Sequence, residues 1–235
     1  MCNLEGRTAL VTGAGRGIGK AIAVALARNG VRVVLAARTR AEIEGLASEL
    51  EGSGGKALAV PTDITQESQV RQMVQKTVEE YGGVDILVNN AGIGVFKHVS
   101  DLSAEEMDAM WAVNVRGVFL ATQAVLPHMI RRGRGDIVTI GSLAGKNTFT
   151  GGAGYAATKW ALRGFMGSLM LEVREHNIRT VTIFPGSVDT SFSARTPRAR
   201  EIPQPEDIAD AVVFALVSPE RTMVSEIDVR PTNPR

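Results

Sequence analysis

Thr8-Ala9-Leu10-Val11-Thr12-Gly13-Ala14-Gly15-Arg16-Gly17-Ile18-Gly19-Lys20-Ala21-Ile22-Ala23 is the stretch that decides the fold. A short apolar run of strand length leads into a glycine-rich loop, and the loop leads into a helix-forming segment. The glycines let the backbone turn tightly and come close to a ligand. A helix starting at such a loop presents unpaired amides and the positive end of its dipole, which suits a pyrophosphate. The spacing is Gly-x-x-x-Gly-x-Gly, not the general Gly-x-Gly-x-x-Gly. It points to a dinucleotide because a strand precedes it, a helix follows it, and it lies in the first βαβ unit.

Outward from this unit the same alternation repeats along the chain. Strands are expected at Thr8–Thr12, Val31–Ala36, Lys56–Val60, Ile86–Asn89, Asp136–Ile140, Arg179–Phe184 and Glu226–Val229. Several are continuous Val/Ile/Leu runs, as parallel strands buried on both faces require. Helices are expected at Gly17–Asn29, Arg40–Glu51, Gln66–Tyr81, Ala104–Arg132, Gly154–His176 and Pro205–Ser218. Alternating β and α predicts an α/β fold, a doubly wound, seven-stranded parallel sheet with helices on both faces. At 235 residues and 44% hydrophobic, the chain fits one domain over residues 1–235. The least patterned stretch, Ser191–Gln204, reads as a loop near the substrate.

Bulk properties exclude several classes. Net charge is +1, so no long-range field favours nucleic acid or an anionic membrane. Cys2 is the only cysteine, which rules out a disulfide framework. His98, His128 and His176 follow no ligand spacing, so no metal site is expected. Residues 1–7 lack an apolar signal core, and no apolar run approaches the roughly 20 residues of a bilayer span. The expectation is a cytoplasmic enzyme.

In doubly wound sheets, ligands sit beyond the carboxyl ends of the strands. At the end of the second strand, an acid would bind the ribose 2′-hydroxyl of NAD, whereas an arginine accommodates the 2′-phosphate of NADP. The strand here ends Leu35-Ala36-Ala37-Arg38-Thr39, and the next acid, Glu42, is already on the helix. Arg16 adds a second guanidinium, and two guanidinia can grip a phosphate dianion. The cofactor expected is NADP(H). Asp63-Ile64 follows the third strand, where a carboxylate suits an adenine amine. Asn89-Asn90-Ala91-Gly92 follows the fourth, with small residues for close approach and amide side chains that can fix the turn.

Tyr155-Ala-Ala-Thr-Lys159 places a phenol and an ammonium on one face of a helix. A nearby ammonium favours phenolate over phenol and so equips the tyrosine for proton transfer. Ser142 lies a short way upstream.

Together these residues resemble the short-chain dehydrogenase/reductase family, in its compact single-domain branch. The resemblance runs from Arg7 to about Val217. It rests on the loop from Thr12 to Gly19, Asp63, Asn89 to Gly92, Asn114, Ser142, Tyr155, Lys159, and Pro185-Gly186 with Thr190. It implies a Rossmann-type fold and a hydride transfer between NADP(H) and a carbonyl or alcohol. By the resemblance, Tyr155 would be the general acid or base, and Lys159 would lower its pKa and bond the nicotinamide ribose. Ser142 would orient the substrate oxygen, and Asn114 would hold a water in a proton relay. Gly13, Arg16, Gly17, Ile18, Gly19, Arg38, Thr39, Asp63, Ile64, Asn90, Ala91 and Gly92 would bind the cofactor. Pro185, Gly186, Val188 and Thr190 would border its nicotinamide.

The substrate end is less legible. Gly94, Val95, Phe96, Leu143, Ala144, Phe149 and Phe192 are pocket candidates, mostly apolar. A 3-oxoacyl carrier-protein reductase is one specific alternative, with Arg131, Arg132 and Arg134 as a basic dock for an acidic carrier. The tail Arg230-Pro231-Thr232 departs from that subgroup, whose members usually end in a paired-glycine turn. The long helices resemble faces that pair subunits, so a homodimer or homotetramer is expected. A catalytically lapsed dinucleotide-binding regulator is the rival from another class. An extended-branch epimerase or dehydratase would need a larger C-terminal substrate domain than the 50 residues after Pro185 provide.

Overall fold

A computed structural model describes residues 2–192 and 202–233. Of the loop expected over Ser191–Gln204, residues 193–201 lie outside the described residues. Seven strands form one parallel sheet: β1 Thr8–Thr12, β2 Arg32–Ala37, β3 Ala57–Pro61, β4 Ile86–Asn89, β5 Gly135–Ile140, β6 Ile178–Pro185 and β7 Glu226–Val229. Their order is β3-β2-β1-β4-β5-β6-β7. The order reverses between β1 and β4, the switch point where a crevice opens in such sheets.

The helices are α1 Gly17–Arg28, α2 Arg40–Gly52, α3 Glu67–Tyr81, α4 Ala104–Trp111, α5 Gly117–Arg132, α6 Ala153–Val173 and α7 Pro205–Val217. Successive strand residues feed opposite faces, because side chains alternate along a strand. Ala9, Val11, Val33 and Leu35 join α1, α2 and α7 through Ile22, Leu26, Ile43 and Val212. Leu10, Val34 and Leu87 join α3, α5 and α6 through Met73, Val125, Met129 and Leu169. Both faces are therefore covered, and this explains why the strands read as unbroken apolar runs.

The one helix expected over Ala104–Arg132 is instead two. Ser103 and Glu106 form a capping box at the start of α4. A π-helical turn, Ala112–Arg116, then separates α4 from α5. Taken as one 29-residue element, this run is long and apolar enough to cross a membrane by length and composition. That corrects the expectation that no run approaches a span. Its inner face, however, packs Leu120, Ala121, Val125 and Met129 into the core of the sheet.

A buried ionic knot closes the end of the sheet remote from the crevice. Asp136 accepts from Arg7 and, at 2.6 Å, from Arg179. Asp85 accepts from the Thr8 amide at 2.8 Å and from Arg132 at 3.1 Å.

Candidate active site

The turns after β1 and β4 are tied together. Thr12 Oγ1 accepts from the amides of Asn90 at 3.0 Å and Ala91 at 3.1 Å. The Asn90 side-chain amide donates to the carbonyls of Thr12 and Gly13 at 3.0 and 3.1 Å. Space here is minimal. A Cβ on Gly13 would lie 2.9 Å from Ala91 Cα, and Gly13 has φ +65°, which disfavours any side chain. A Cβ on Gly19 would lie 2.2 Å from the Gly13 carbonyl. Gly19 thus lets α1 start against the strand ends.

Beyond the strand ends runs a cavity of about 1100 Å³. Small-molecule pockets hold roughly 300–1,000 Å³, so this one has room for a dinucleotide and part of a second molecule. Of the predicted residues, it is lined by Gly13, Arg16, Gly17, Ile18, Arg38, Thr39, Asp63, Ile64, Asn90, Ala91 and Gly92. Ser142, Tyr155, Lys159, Pro185, Gly186, Val188 and Thr190 line its other part. Two predicted residues do not line it. Gly19 is packed behind the loop. Asn114 is buried in the π turn, where it accepts from the Ile93 amide at 2.8 Å. Its side-chain amide donates to the Ile93 carbonyl at 2.9 Å and to Thr158 Oγ1 at 3.0 Å. These bonds join the turn after β4 to α6.

At one end of the cavity, Arg16 and Arg38 form no ion pair among the described residues, and Glu42 stands beside the glycine loop. A Cβ on Gly15 would lie 2.4 Å from Glu42 Oε2. Asp63 Oδ1 is engaged by the Thr65 amide at 2.9 Å and hydroxyl at 2.8 Å. These bonds hold the carboxylate at the cavity wall.

At the other end, Tyr155 and Lys159 project from α6. Burial pushes the Tyr155 phenol up to about 12, and the Ser142 hydroxyl pulls it back down. Burial pushes the Lys159 ammonium down to about 8. Lys159 Nζ stands 5.7 Å from the centre of the Tyr155 ring and donates to the Ile140 carbonyl at 3.0 Å. The expected lowering of the Tyr155 pKa by Lys159 is therefore not what this arrangement gives. Desolvation outweighs it here.

The short chain dehydrogenase family model matches residues 7–201. The chain belongs to the short-chain dehydrogenase/reductase family. It is thus an oxidoreductase of a family that binds nicotinamide dinucleotides. An uncharacterized oxidoreductase of Staphylococcus aureus is 36% identical over 232 residues, 98% of this chain and 100% of that protein. A metagenomic short-chain oxidoreductase solved with NADP is 38% identical, with TM-score 0.88 over 99% of this chain and 100% of that one. An alcohol dehydrogenase from the archaeon Thermococcus sibiricus, solved with 5-hydroxy-NADP, is 34% identical. Its TM-score is 0.91 over 97% of this chain and 98% of its own.

Several lining residues of this short-chain dehydrogenase/reductase are invisible as such in its sequence. Arg230, Pro231 and Asn233 reach the cavity because β7 runs parallel to β6 and ends at the same end of the sheet, and Asn147 and Thr148 enter from the loop after Ser142. Of the pocket candidates, Phe96, Leu143, Ala144, Phe149 and Phe192 line the cavity. Val95 packs instead beside Met110, and Gly94 packs under Phe96 and Phe192. The basic cluster is elsewhere. Arg132 and Arg134 face Asp85 at 3.1 and 3.8 Å, and Arg131 faces His128 at 3.0 Å. They precede β5 at the end of the sheet opposite the cavity, so they offer no dock beside it.

Proposed function

We propose that this chain is a carbonyl reductase, reversible as an alcohol dehydrogenase, that uses NADP(H) within a single catalytic domain. One observation carries the proposal: Ser142, Tyr155 and Lys159 share a wall of the cavity whose far end holds Arg16 and Arg38, which form no ion pair among the described residues. The bound cofactor supplies the hydride and the protein supplies position, a proton and charge stabilisation. Arg16 and Arg38 hold the 2′-phosphate, a role for which paired guanidinia are suited. Asp63 takes the adenine amine through the oxygen not used by Thr65. The glycine loop brings main-chain amides at the start of α1 against the pyrophosphate.

Pro185, Gly186, Val188 and Thr190 border the nicotinamide. Ser142 and Tyr155 aim donors at the substrate oxygen, where negative charge grows as hydride arrives at carbon. Tyr155 donates its proton to that oxygen. Lys159, charged below about pH 8, favours the phenolate left behind. Asn114 holds the turn after β4 against Thr158 and lies on the route by which Lys159 exchanges protons with solvent.

Half-exposed apolar side chains on α4, α5 and α6, among them Trp111, Phe119, Trp160 and Leu171, fit a homo-oligomer. Spectrophotometric NADPH consumption with ketones, aldehydes, quinones and 3-oxoacyl thioesters tests the proposal. Turnover of at least one carbonyl class is expected. Tight NADPH binding without turnover of any would overturn it in favour of a lapsed regulator.

A further inference from the structure

Phenylalanines from three different loops form a wall at Tyr155: Phe96 and Phe192 meet its ring, and Phe149 meets Phe96. Phe96 follows β4, Phe149 follows β5 and Phe192 follows β6. The Phe96 ring meets Tyr155 edge-on, with centroids 5.3 Å apart and planes at 68°. Phe192 lies 5.8 Å from Tyr155 at 54°. Phe96 also lies 6.0 Å from Phe149 and 6.4 Å from Phe192. These spacings are within the range at which aromatic rings attract through their quadrupoles.

The rings are seated on glycines. A Cβ on Gly94 would come within 2.9 Å of Phe96 and 3.0 Å of Phe192, and one on Gly152 within 2.4 Å of Phe149. Any larger residue at either glycine would displace the wall. Yet the three rings remain 45%, 48% and 44% exposed, while Tyr155 is 8% exposed. The wall therefore holds apolar faces open to the cavity around a nearly buried phenol. A carbonyl reaching the phenol hydroxyl brings its nearest substituent against this apolar wall.

We propose that the preferred substrates are ketones bearing an aromatic ring within one or two bonds of the carbonyl carbon, held by Phe96, Phe149 and Phe192. This rests on the reductase reading above. An aliphatic ring of equal size would fill the same volume and bury at least as much apolar surface. Hydrophobicity alone therefore gives it no disadvantage, whereas edge-to-face and offset contacts with three rings favour the flat aromatic one.

Phenylacetone and cyclohexylacetone form the matched pair, because a methylene insulates the same methyl ketone from either ring. Their kcat/KM values with NADPH are compared in the wild type and in Phe96→Leu and Phe192→Leu. NADPH binding, followed by fluorescence, confirms that each variant folds. A phenyl preference of about tenfold or more is expected, the size that two aromatic contacts supply. Each substitution should cut that ratio at least threefold, since leucine keeps the apolar bulk and removes the ring. Equal or better use of cyclohexylacetone, or a ratio indifferent to both substitutions, overturns the substrate class and leaves the reductase reading standing. No turnover of either ketone, or of the wider carbonyl panel, by enzyme that binds NADPH overturns both.

Discussion

Lys159 faces the ring of Tyr155 from 5.7 Å, while its hydrogen bond at 3.0 Å goes to the Ile140 carbonyl. The ammonium is held beside the phenol without a direct bond that would fix either proton. Burial alone accounts for its fall from 10.5 to about 8. Between those values the unfolded chain binds more protons than the folded one, so stability rises with pH across that window. The full difference corresponds to about 3 kcal/mol. Urea unfolding at pH 7.5 and 9.5 should show this rise in the wild type. Lys159→Met should remove most of it.

The same titration has a kinetic face. In the reduction direction, Tyr155 is protonated at every accessible pH, since burial holds it near 12. The charge that favours its phenolate is lost as pH rises through about 8. The kcat/KM for ketone reduction should therefore fall above pH 8 with a single-proton slope. A profile flat to pH 10 would remove Lys159 from the proposed role.

Tyr155→Phe deletes the proton donor and keeps the ring that contacts Phe96 and Phe192. Turnover should fall by about 10²–10⁴-fold, the usual worth of general acid catalysis, while NADPH binding persists. Ser142→Ala should cost about 10²-fold, the scale of one donor at a developing oxyanion. Rapid-quench and steady-state rates of both variants check this.

The sheet was legible because burial on both faces writes continuous apolar runs, and every strand lies within about two residues of its expected bounds. The helix over 104–132 was not fully legible. One π turn adds too little to the apolar repeat to break the 3.6-residue pattern, although it carries Asn114. Arg131, Arg132 and Arg134 read as a free basic patch because Asp85, the partner of Arg132 and Arg134, is remote in sequence and reaches them only through the β4–β5 pairing. Gly19 fitted a ligand-binding pattern, yet its missing side chain makes room for Gly13 and Asn90. The tail residues that border the cavity carried no pattern at all.

Cofactor choice should follow charge at the arginine end. Arg38→Ala removes a charge-assisted contact worth about 1.5–3 kcal/mol, so the KM for NADPH should rise about 10- to 100-fold with little change for NADH. Glu42 places a carboxylate at the same end, beside Gly15. Glu42→Gln should lower the KM for NADPH severalfold, the scale of an exposed charge interaction, and more so at low salt. An opposite shift would mean that Glu42 serves a ribose hydroxyl instead.

The ionic knot below the sheet sets the last test. Asp136 holds Arg7 and Arg179, and all three join β1, β5 and β6 far from the cavity. Asp136→Asn keeps the shape but leaves two guanidinia without their buried counter-charge. Breaking a buried pair from one side costs about 3–5 kcal/mol. Thermal unfolding should therefore fall by several degrees. The KM for NADPH, measured well below the new melting point, should stay within about twofold, because the strand ends that carry the glycine loop and Asn90 lie at the opposite end of the sheet. A large change in KM with unchanged melting would show that the knot positions the site and does not merely hold the fold.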